Sequence, residues 1–251
     1  MFPELIRIGG LSIHTYGVLV AAGFITAIAL ARRRAKSEGI DPDRIGDLGV
    51  WLIVAGMLGA KVFHIIFFWN DFIYGWRAEG IASLRQGFVF YGGFIAASLA
   101  TIFCALRKQI PVFKLADILA PSIAVGHAFG RMGCFFEGCC YGTACHLPWA
   151  VSFPATHNTH GQPVHPTELY EVLGNLAIFG VLTLLYRRKR FTGQIWWAYV
   201  LGYGALRFAV EFCRGDYETH YLQRFTIGHI IAFAMMIAAL VGLVVSSRKR
   251  A

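Results

Sequence analysis

Long apolar runs separated by short polar stretches dominate the chain. The run 48–69 contains one cation, Lys61, and no acid, and the run 225–245 contains no Asp, Glu, Lys or Arg. About 20 consecutive apolar residues are enough for a helix to cross the hydrocarbon core of a bilayer. The pattern predicts an all-α integral membrane protein, a single domain over residues 1–251, with seven transmembrane helices at about 13–31, 48–69, 88–106, 115–133, 167–186, 194–213 and 225–245.

Two parts of this pattern are irregular. Asp117, Pro121 and His127 interrupt the fourth run, which predicts a broken or half-buried helix. The stretch 70–86 mixes aromatic and aliphatic side chains with charged ones. That mixture predicts an interfacial helix lying on the outer leaflet, with a plain connecting loop as the alternative.

The positive charges indicate how the helices are oriented. Basic residues cluster at the ends of the runs, at 32–36, 107–114, 187–190 and 248–250. With seven helices all four clusters fall on one side, and the opposite loop 134–166 contains no Lys or Arg. Because basic residues stay in the cytoplasm, the pattern predicts an outward N-terminus and a cytoplasmic C-terminus.

Composition agrees with this interpretation. The chain is 57% hydrophobic and 15% charged, with a formal net charge of +9. A basic protein can bind nucleic acid, but here the cations lie beside apolar runs, where they anchor topology. We therefore expect no nucleic-acid partner.

The first ten residues lack the basic start of a cleavable signal peptide, so we expect the first run to remain as a span.

Ionisable residues inside the runs are costly and usually face a cavity or a partner. Arg131 and Arg207 stand out, since a guanidinium offers a planar fork of donors that fits a phosphate, here a lipid head group. The alternative is internal pairing. Arg207 and Glu211 lie four residues apart on one helix face, and Arg131 could pair with Asp117 or Glu168.

Glycine and cysteine add further candidates. Glycine pairs beside Tyr or Arg, as in FYGGF and GYGALR, allow either close helix packing or backbone contact with a ligand.

Four cysteines of the outward loop follow a C-x4-C-C-x4-C spacing, at Cys134, Cys139, Cys140 and Cys145. This spacing favours disulfides or plain packing, and a metal site or a catalytic thiol remains as an alternative. Cys104 and Cys213 are predicted to be small buried hydrophobes.

Five motifs occur in order along the chain: HTYG, FYGGF, GRMGCFFEGCCYG, HPTELYE and GYGALRFAVEFCR. Together they resemble the ordered motifs of the prolipoprotein diacylglyceryl transferase family, and the resemblance runs from about Ile8 to Gly228. It implies a multi-pass enzyme of the bacterial inner membrane with seven spans. It also implies transfer of a diacylglyceryl group from phosphatidylglycerol to a prolipoprotein lipobox cysteine, with release of glycerol-1-phosphate.

The resemblance implies partners and site residues as well. The partners are phosphatidylglycerol, prolipoprotein signal peptides with a lipobox cysteine, and membrane lipids, and no metal or organic cofactor is expected. Arg131 would bind the lipid phosphate, and Arg207 matches the second essential arginine of the family. From the reaction chemistry we expect Arg207, oriented by Glu211, to stabilise the leaving group. The other implied catalytic residues are Tyr16, Tyr91 and Tyr203, and the other implied substrate-binding residues are His14, Gly92, Gly93, Gly130 and Gly142.

The chain departs from the family at three of these motif positions. Tyr91 stands where well-studied members have a histidine, Cys134 where they have an asparagine, and Cys139 where they have an acid. The base that deprotonates the acceptor thiol is therefore open, with His14, His127 and Tyr91 as candidates. Alternative functions are a lipid or anion transporter, a metal-dependent hydrolase using the Cys/His loop, or a paralogous membrane enzyme with a different acceptor.

Overall fold

The computed structural model describes residues 3–8, 11–85, 87–215 and 225–248. Helices dominate this part of the chain, which confirms the all-α class, and the strands are short. In chain order the elements are β1 (Glu4–Ile8), β2 (Leu11–His14), α1 (Thr15–Ser37), α2 (Pro42–Phe67), α3 (Trp69–Glu79), a 3₁₀ helix (Gly80–Arg85), α4 (Phe90–Arg107), α5 (Val112–Glu137), β3 (Val151–Ser152), β4 (Pro163–Val164), α6 (Thr167–Tyr186), α7 (Gln194–Glu211) and α8 (Ile227–Arg248). Three predicted positions, Gln86, Lys249 and Arg250, lie outside the described residues.

The chain divides into two compact units, with boundaries inside α1 and α5. The first unit comprises Met1–Ala31 and Ala116–Ala251, and the second comprises Arg32–Leu115. Two antiparallel hairpins, β1–β2 and β3–β4, belong to the first unit, together with α6, α7 and α8. The hairpins were not predicted from the sequence, because neither strand pair has a long alternating pattern.

Among the described residues, six helices are long and apolar enough to cross a membrane: α1, α2, α4, α5, α6 and α8. Helix α7, for which the sequence predicts a seventh span, is not one of them. The helix itself forms at Gln194–Glu211, but it carries Gln194, Arg207 and Glu211 among its apolar residues. By length and composition, the described residues therefore contain six candidate spans.

Helix α5 runs without a break from Val112 to Glu137, although Pro121 lies inside it. The expectation of a broken helix is therefore wrong. The alternative, a half-buried helix, is confirmed, since 50% of the most apolar window of α5 is buried. Ala120 and Ala124 of α5 pack with Leu182 of α6 and Ile195 of α7, so the small residues of α5 allow close contact at the core of the first unit.

Close glycine contacts join α2 and α4 in the second unit. A Cβ added to Gly92 would lie 2.5 Å from the carbonyl oxygen of Gly59, and one added to Gly93 would lie 2.9 Å from that of Gly56. A side chain cannot be accommodated at such distances without backbone movement. Gly92 and Gly93 therefore have a packing role in this unit.

The Asp117 side chain binds the N-terminus of α7. Its carboxylate oxygens accept hydrogen bonds from the backbone N–H groups of Gly193 at 2.7 Å and Trp196 at 2.9 Å. Lys189 Nζ lies 3.6 Å from the same carboxylate, which is fully buried. A carboxylate at this place satisfies N–H groups that the helix leaves unpaired and complements its dipole.

We expect Asp117→Asn to destabilise the fold. Asparagine offers only one acceptor oxygen, so one of the two N–H groups faces an amide donor, and the ion pair with Lys189 is lost. The expected cost is about 1–3 kcal/mol of unfolding free energy, seen as a lower thermal unfolding midpoint in detergent. The control is Asp71→Asn, on the exposed side of α3, which should change the midpoint little. Equal midpoints for Asp117→Asn and wild type would contradict the capping role.

Candidate active site

Arg131 lies near the C-terminal end of α5 and is paired with Glu171 of α6. The distance from Arg131 Nε to Glu171 Oε2 is 2.8 Å, and the Glu171 side chain is 2% exposed. Within the described part of the chain, the internal partner of Arg131 is Glu171, and not Asp117 or Glu168, the two partners that the sequence alternative named. Asp117 lies 14 residues earlier on α5, about 21 Å along the axis, at the end that caps α7.

Arg207 of α7 contacts two carboxylates. Its Nη1 lies 3.2 Å from Glu171 Oε1, and its Nη2 lies 2.8 Å from Glu211 Oε2. The second contact confirms the expected pairing of Arg207 with Glu211 along one helix face. Glu211 is itself held by the segment before α8, because the Thr226 hydroxyl donates to Glu211 Oε1. Both arginines therefore share one carboxylate, Glu171.

A third arginine, Arg214, joins the same carboxylate from the segment after α7. Its Nη1 lies 3.7 Å from Glu171 Oε1, and its side chain is 6% exposed. The backbone of Arg214 forms a β-bridge with Gly142. A Cβ at Gly142 would lie 2.3 Å from the carbonyl oxygen of Cys213, so the bridge requires a glycine there.

Among the described residues, the guanidinium groups of Arg131, Arg207 and Arg214 contact two carboxylates, those of Glu171 and Glu211. These groups are largely withdrawn from water. Electrostatic attraction is stronger in such surroundings of low dielectric constant than in water. A third acid, Glu168, is fully buried, and in the described part of the chain its carboxylate oxygens accept no hydrogen bond from another residue. The arginine set is therefore suited to holding an anion.

Tyr203 and Tyr16 lie beside the arginines. The Tyr203 ring stacks on His127 with centroids 4.9 Å apart, and its hydroxyl interacts electrostatically with Arg131 and Arg207. Tyr16, in the first turn of α1, packs on Gly133, where a Cβ would lie 2.9 Å from its ring. The predicted residues Arg131, Arg207, Glu211, Tyr203 and Tyr16 therefore come together in the first unit.

Other predicted residues lie elsewhere. Tyr91, Gly92 and Gly93 belong to the second unit, where Tyr91 is 61% exposed. His14 is exposed at the end of β2, 3.4 Å from the Ser12 hydroxyl. Gly130 has no described atom within 4 Å of a Cβ built on it, so the space beside Arg131 is open there.

The loop thiols after α5 converge. The sulfur atoms of Cys134, Cys139 and Cys140 all lie within 4.8 Å of one another, and all three are free thiols. Hydrogen bonds from the Cys134 and Cys139 thiols lower the pKa of Cys140. The guanidinium groups of Arg131 and Arg214 also lower the pKa of Cys140.

The remaining cysteines differ from the expectation. Cys104 and Cys213, predicted to be buried, are both partly exposed, and Cys145 is the buried one. Burial of the thiol, together with the nearby Cys145, raises the pKa of Cys213. Cys104 lies near the C-terminal end of α4, where the neighbouring Phe103 and Leu106 are exposed. This part of the helix surface is therefore exposed.

Sequence reasoning missed the central position of Glu171 and the contribution of Arg214. Two signals were present in the chain. Arg214 follows Arg207 by seven residues, two helical turns, with Glu211 between them on the same face. Glu171 follows Glu168 by three residues at the start of an apolar run. Several arginines close in sequence to a few acids indicate that one carboxylate can pair with more than one arginine.

Comparison with known proteins shows which family this chain is similar to. The sequence model of a family described as "Prolipoprotein diacylglyceryl transferase" matches residues 3–245. A phosphatidylglycerol–prolipoprotein diacylglyceryl transferase of Finegoldia magna is 36% identical over 234 residues, covering 92% of this chain and 90% of that protein. Proteins of the same name from Clostridium tetani and Geobacter sulfurreducens are each 33% identical, covering 96% and 99% of this chain and 96% of each relative.

Proposed function

The chain belongs to the prolipoprotein diacylglyceryl transferase family, and from this premise we infer that it is a membrane transferase acting on phosphatidylglycerol and prolipoproteins. The diacylglyceryl group moves to the lipobox cysteine thiol of the prolipoprotein signal peptide, and glycerol-1-phosphate is released. Family membership argues against the transporter and hydrolase alternatives, because neither is named among these relatives.

The observation that carries this proposal is the sharing of Glu171 by three arginines. Arg131 and Arg207 are anchored to Glu171 through one nitrogen each at 2.8 and 3.2 Å, which leaves further N–H donors of Arg131 for an anion. A guanidinium has five such donors. Open space at Gly130 lies next to Arg131. A lipid phosphate placed there would be held by charge-assisted hydrogen bonds, which are stronger than neutral ones.

The reaction requires little covalent chemistry from the enzyme, since the nucleophile belongs to the peptide. The acceptor sulfur attacks glycerol C3, a carbon–sulfur bond forms, and the bond from C3 to the phosphate oxygen breaks. The leaving phosphate monoester gains negative charge as that bond breaks. In our proposal Arg131 binds the phosphate and Arg207 stabilises the growing charge, while Glu211 keeps Arg207 in place.

We propose supporting roles for the other implied residues. Tyr203 and Tyr16, near Arg131, would orient the lipid head group. Gly142 would shape the site by permitting the bridge to Arg214 rather than by touching the substrate directly. The roles proposed for Tyr91, Gly92, Gly93 and His14 in contacting substrate rest on the motif resemblance alone.

The proposed topology is a single seven-span domain in the bacterial inner membrane, with α7 as the seventh span and α3 as the interfacial helix. The N-terminus would lie in the periplasm and the C-terminus in the cytoplasm. Contacts in the second unit support a common basic side. Lys108 pairs with Asp47 at 3.3 Å and Lys114 with Glu38 at 3.6 Å, so these basic residues gather at one end of the unit.

The direct test is transfer by the purified protein in liposomes. We expect phosphatidylglycerol and a lipobox peptide to give a peptide whose mass increases by one diacylglyceryl group, in a thioether stable to mild base. The same peptide with serine in place of its cysteine should not react, and neither should liposomes of phosphatidylethanolamine alone. No mass increase with any phosphatidylglycerol liposome, while the protein remains folded, would contradict the proposal.

A further inference from the structure

We propose that Cys134, Cys139 and Cys140 form a three-thiolate binding site for a thiophilic metal ion such as Zn²⁺. Three sulfurs bound to one ion at about 2.3 Å lie roughly 3.8–4.0 Å apart. The three sulfurs here lie within 4.8 Å of one another. A small side-chain adjustment is therefore enough to surround an ion.

The backbone holds these thiols in place. Helix α5 ends at Glu137, and the N–H groups of Gly138 and Cys139 both donate to the Cys134 carbonyl oxygen, at 2.8 and 3.1 Å. Gly138 and Cys140 have positive φ, 79° and 70°, which folds the chain back toward Cys134. The Thr167 hydroxyl donates to the Cys140 carbonyl oxygen at 2.7 Å. The loop is thus tied to α6 before any ligand binds.

The surroundings suit a metal–thiolate site. Zn²⁺ with three thiolates carries a net charge of −1, and the guanidinium groups of Arg131 and Arg214 interact electrostatically with Cys140. These two cations, which also contact Glu171, offset part of the charge of the loaded site. Cys139 is exposed to solvent, so an ion has a path of entry.

A disulfide explains this cluster less well. Cys139 and Cys140 are adjacent, and Cα atoms about 3.8 Å apart lie below the usual disulfide range of about 4.4–6.8 Å. A bridge from Cys134 to either of them would leave the third thiol unused. A metal ion uses all three sulfurs at once.

Three protein ligands leave one position of a tetrahedral ion open, as in catalytic zinc sites. On the basis of the proposed function, the acceptor cysteine fits that position, next to the lipid phosphate at Arg131. A thiol bound to a metal is deprotonated, so its proton passes to water as the sulfur binds. The thiolate then forms the bond to C3, and the electron pair of the breaking carbon–oxygen bond leaves with glycerol-1-phosphate. No histidine base is then required.

The test is metal binding by the whole protein, reduced and stripped of metal, in detergent without oxygen. Titration with Co²⁺ should give thiolate-to-metal charge-transfer absorption that saturates at one ion per chain and disappears when Zn²⁺ is added. Cys134→Ser, Cys139→Ser and Cys140→Ser should each weaken Co²⁺ binding at least about tenfold. The matched control, Cys104→Ser on α4, should bind Co²⁺ like the wild type.

A second measurement does not depend on variants. Zn²⁺ should protect the three cluster cysteines of the wild-type protein from alkylation, while Cys104 stays reactive. Unchanged alkylation with Zn²⁺, unchanged Co²⁺ binding in all three serine variants, or a disulfide within the cluster of the protein as isolated would overturn the site.

A separate measurement tests whether the acceptor thiol binds at the open coordination position of the metal. A lipobox peptide should change the Co²⁺ absorption, its serine version should not, and chelation should reduce transfer at least about tenfold until Zn²⁺ is restored. Full transfer by metal-free protein would refute this role while leaving the proposed function intact. Absence of transfer in every metal state would instead refute the proposed function, and the Co²⁺ titration would still report on the site.

Discussion

Replacing Arg131 by lysine is expected to reduce diacylglyceryl transfer by about 100-fold or more, while the protein still inserts and folds. Lysine keeps the positive charge next to Glu171 but offers a point charge in place of a planar fork of donors. The Arg131 contact to Glu171 uses Nε at 2.8 Å, and one lysine nitrogen cannot bind Glu171 and a phosphate with the same geometry. Loss of one preorganised donor at a developing charge costs roughly 10²–10³ in turnover.

The measurement is the initial transfer rate in phosphatidylglycerol liposomes, with the thermal unfolding midpoint measured in parallel. Arg7→Lys is the matched control, since Arg7 forms an exposed pair with Glu4 and its side chain is 69% exposed. It should leave both the rate and the midpoint unchanged. Arg131→Ala should be at least as inactive as Arg131→Lys. Wild-type turnover in both Arg131 variants would remove this residue from phosphate binding.

The positions of the helices could be predicted well from the sequence. Helix α6 covers Thr167–Tyr186, the same bounds as the predicted run 167–186. Here Pro166 precedes the run and a block of basic residues follows it, so local chemistry marks both ends. The surroundings of α7 could not be predicted in the same way, because Arg207 also contacts Glu171 of α6 and Glu211 also contacts Thr226, and both contacts depend on tertiary packing.

The partners of the arginines depended on that tertiary packing. The pair Arg207–Glu211 lies within one turn and was predictable from spacing. The pair Arg131–Glu171 joins residues 40 positions apart on two helices, and spacing gives no register between helices. The thiol cluster has a similar origin, because the positive φ of Cys140, unusual for a residue with a Cβ, brings the sulfurs together.

Replacing Glu171 by glutamine is expected to lower both stability and turnover, because this carboxylate contacts three arginines at 2.8, 3.2 and 3.7 Å. Glutamine has nearly the same volume, but it has no charge, has one acceptor oxygen and turns an amide donor toward a guanidinium. Removing one partner of a buried ion pair costs about 3–5 kcal/mol. We expect a clearly lower thermal midpoint in detergent and a turnover reduced by about 100-fold or more.

A purely structural role for Glu171 would predict weaker binding of lipid as well as lower stability. Our proposal predicts the opposite for binding, since arginines without their carboxylate attract a phosphate more strongly. Phosphatidylglycerol should therefore raise the unfolding midpoint of Glu171→Gln by more than it raises that of the wild type.

The matched control is Glu4→Gln, which removes the carboxylate of an exposed Arg–Glu pair at 3.3 Å. An exposed pair is worth about 0–1 kcal/mol, so this variant should unfold and turn over like the wild type. Its response to phosphatidylglycerol should also be that of the wild type, because Arg7 is already hydrated. Two results would contradict the proposal that the arginines around Glu171 bind a lipid phosphate. One is normal turnover of the Glu171→Gln protein, and the other is a smaller stabilisation of this variant by phosphatidylglycerol than of the wild type.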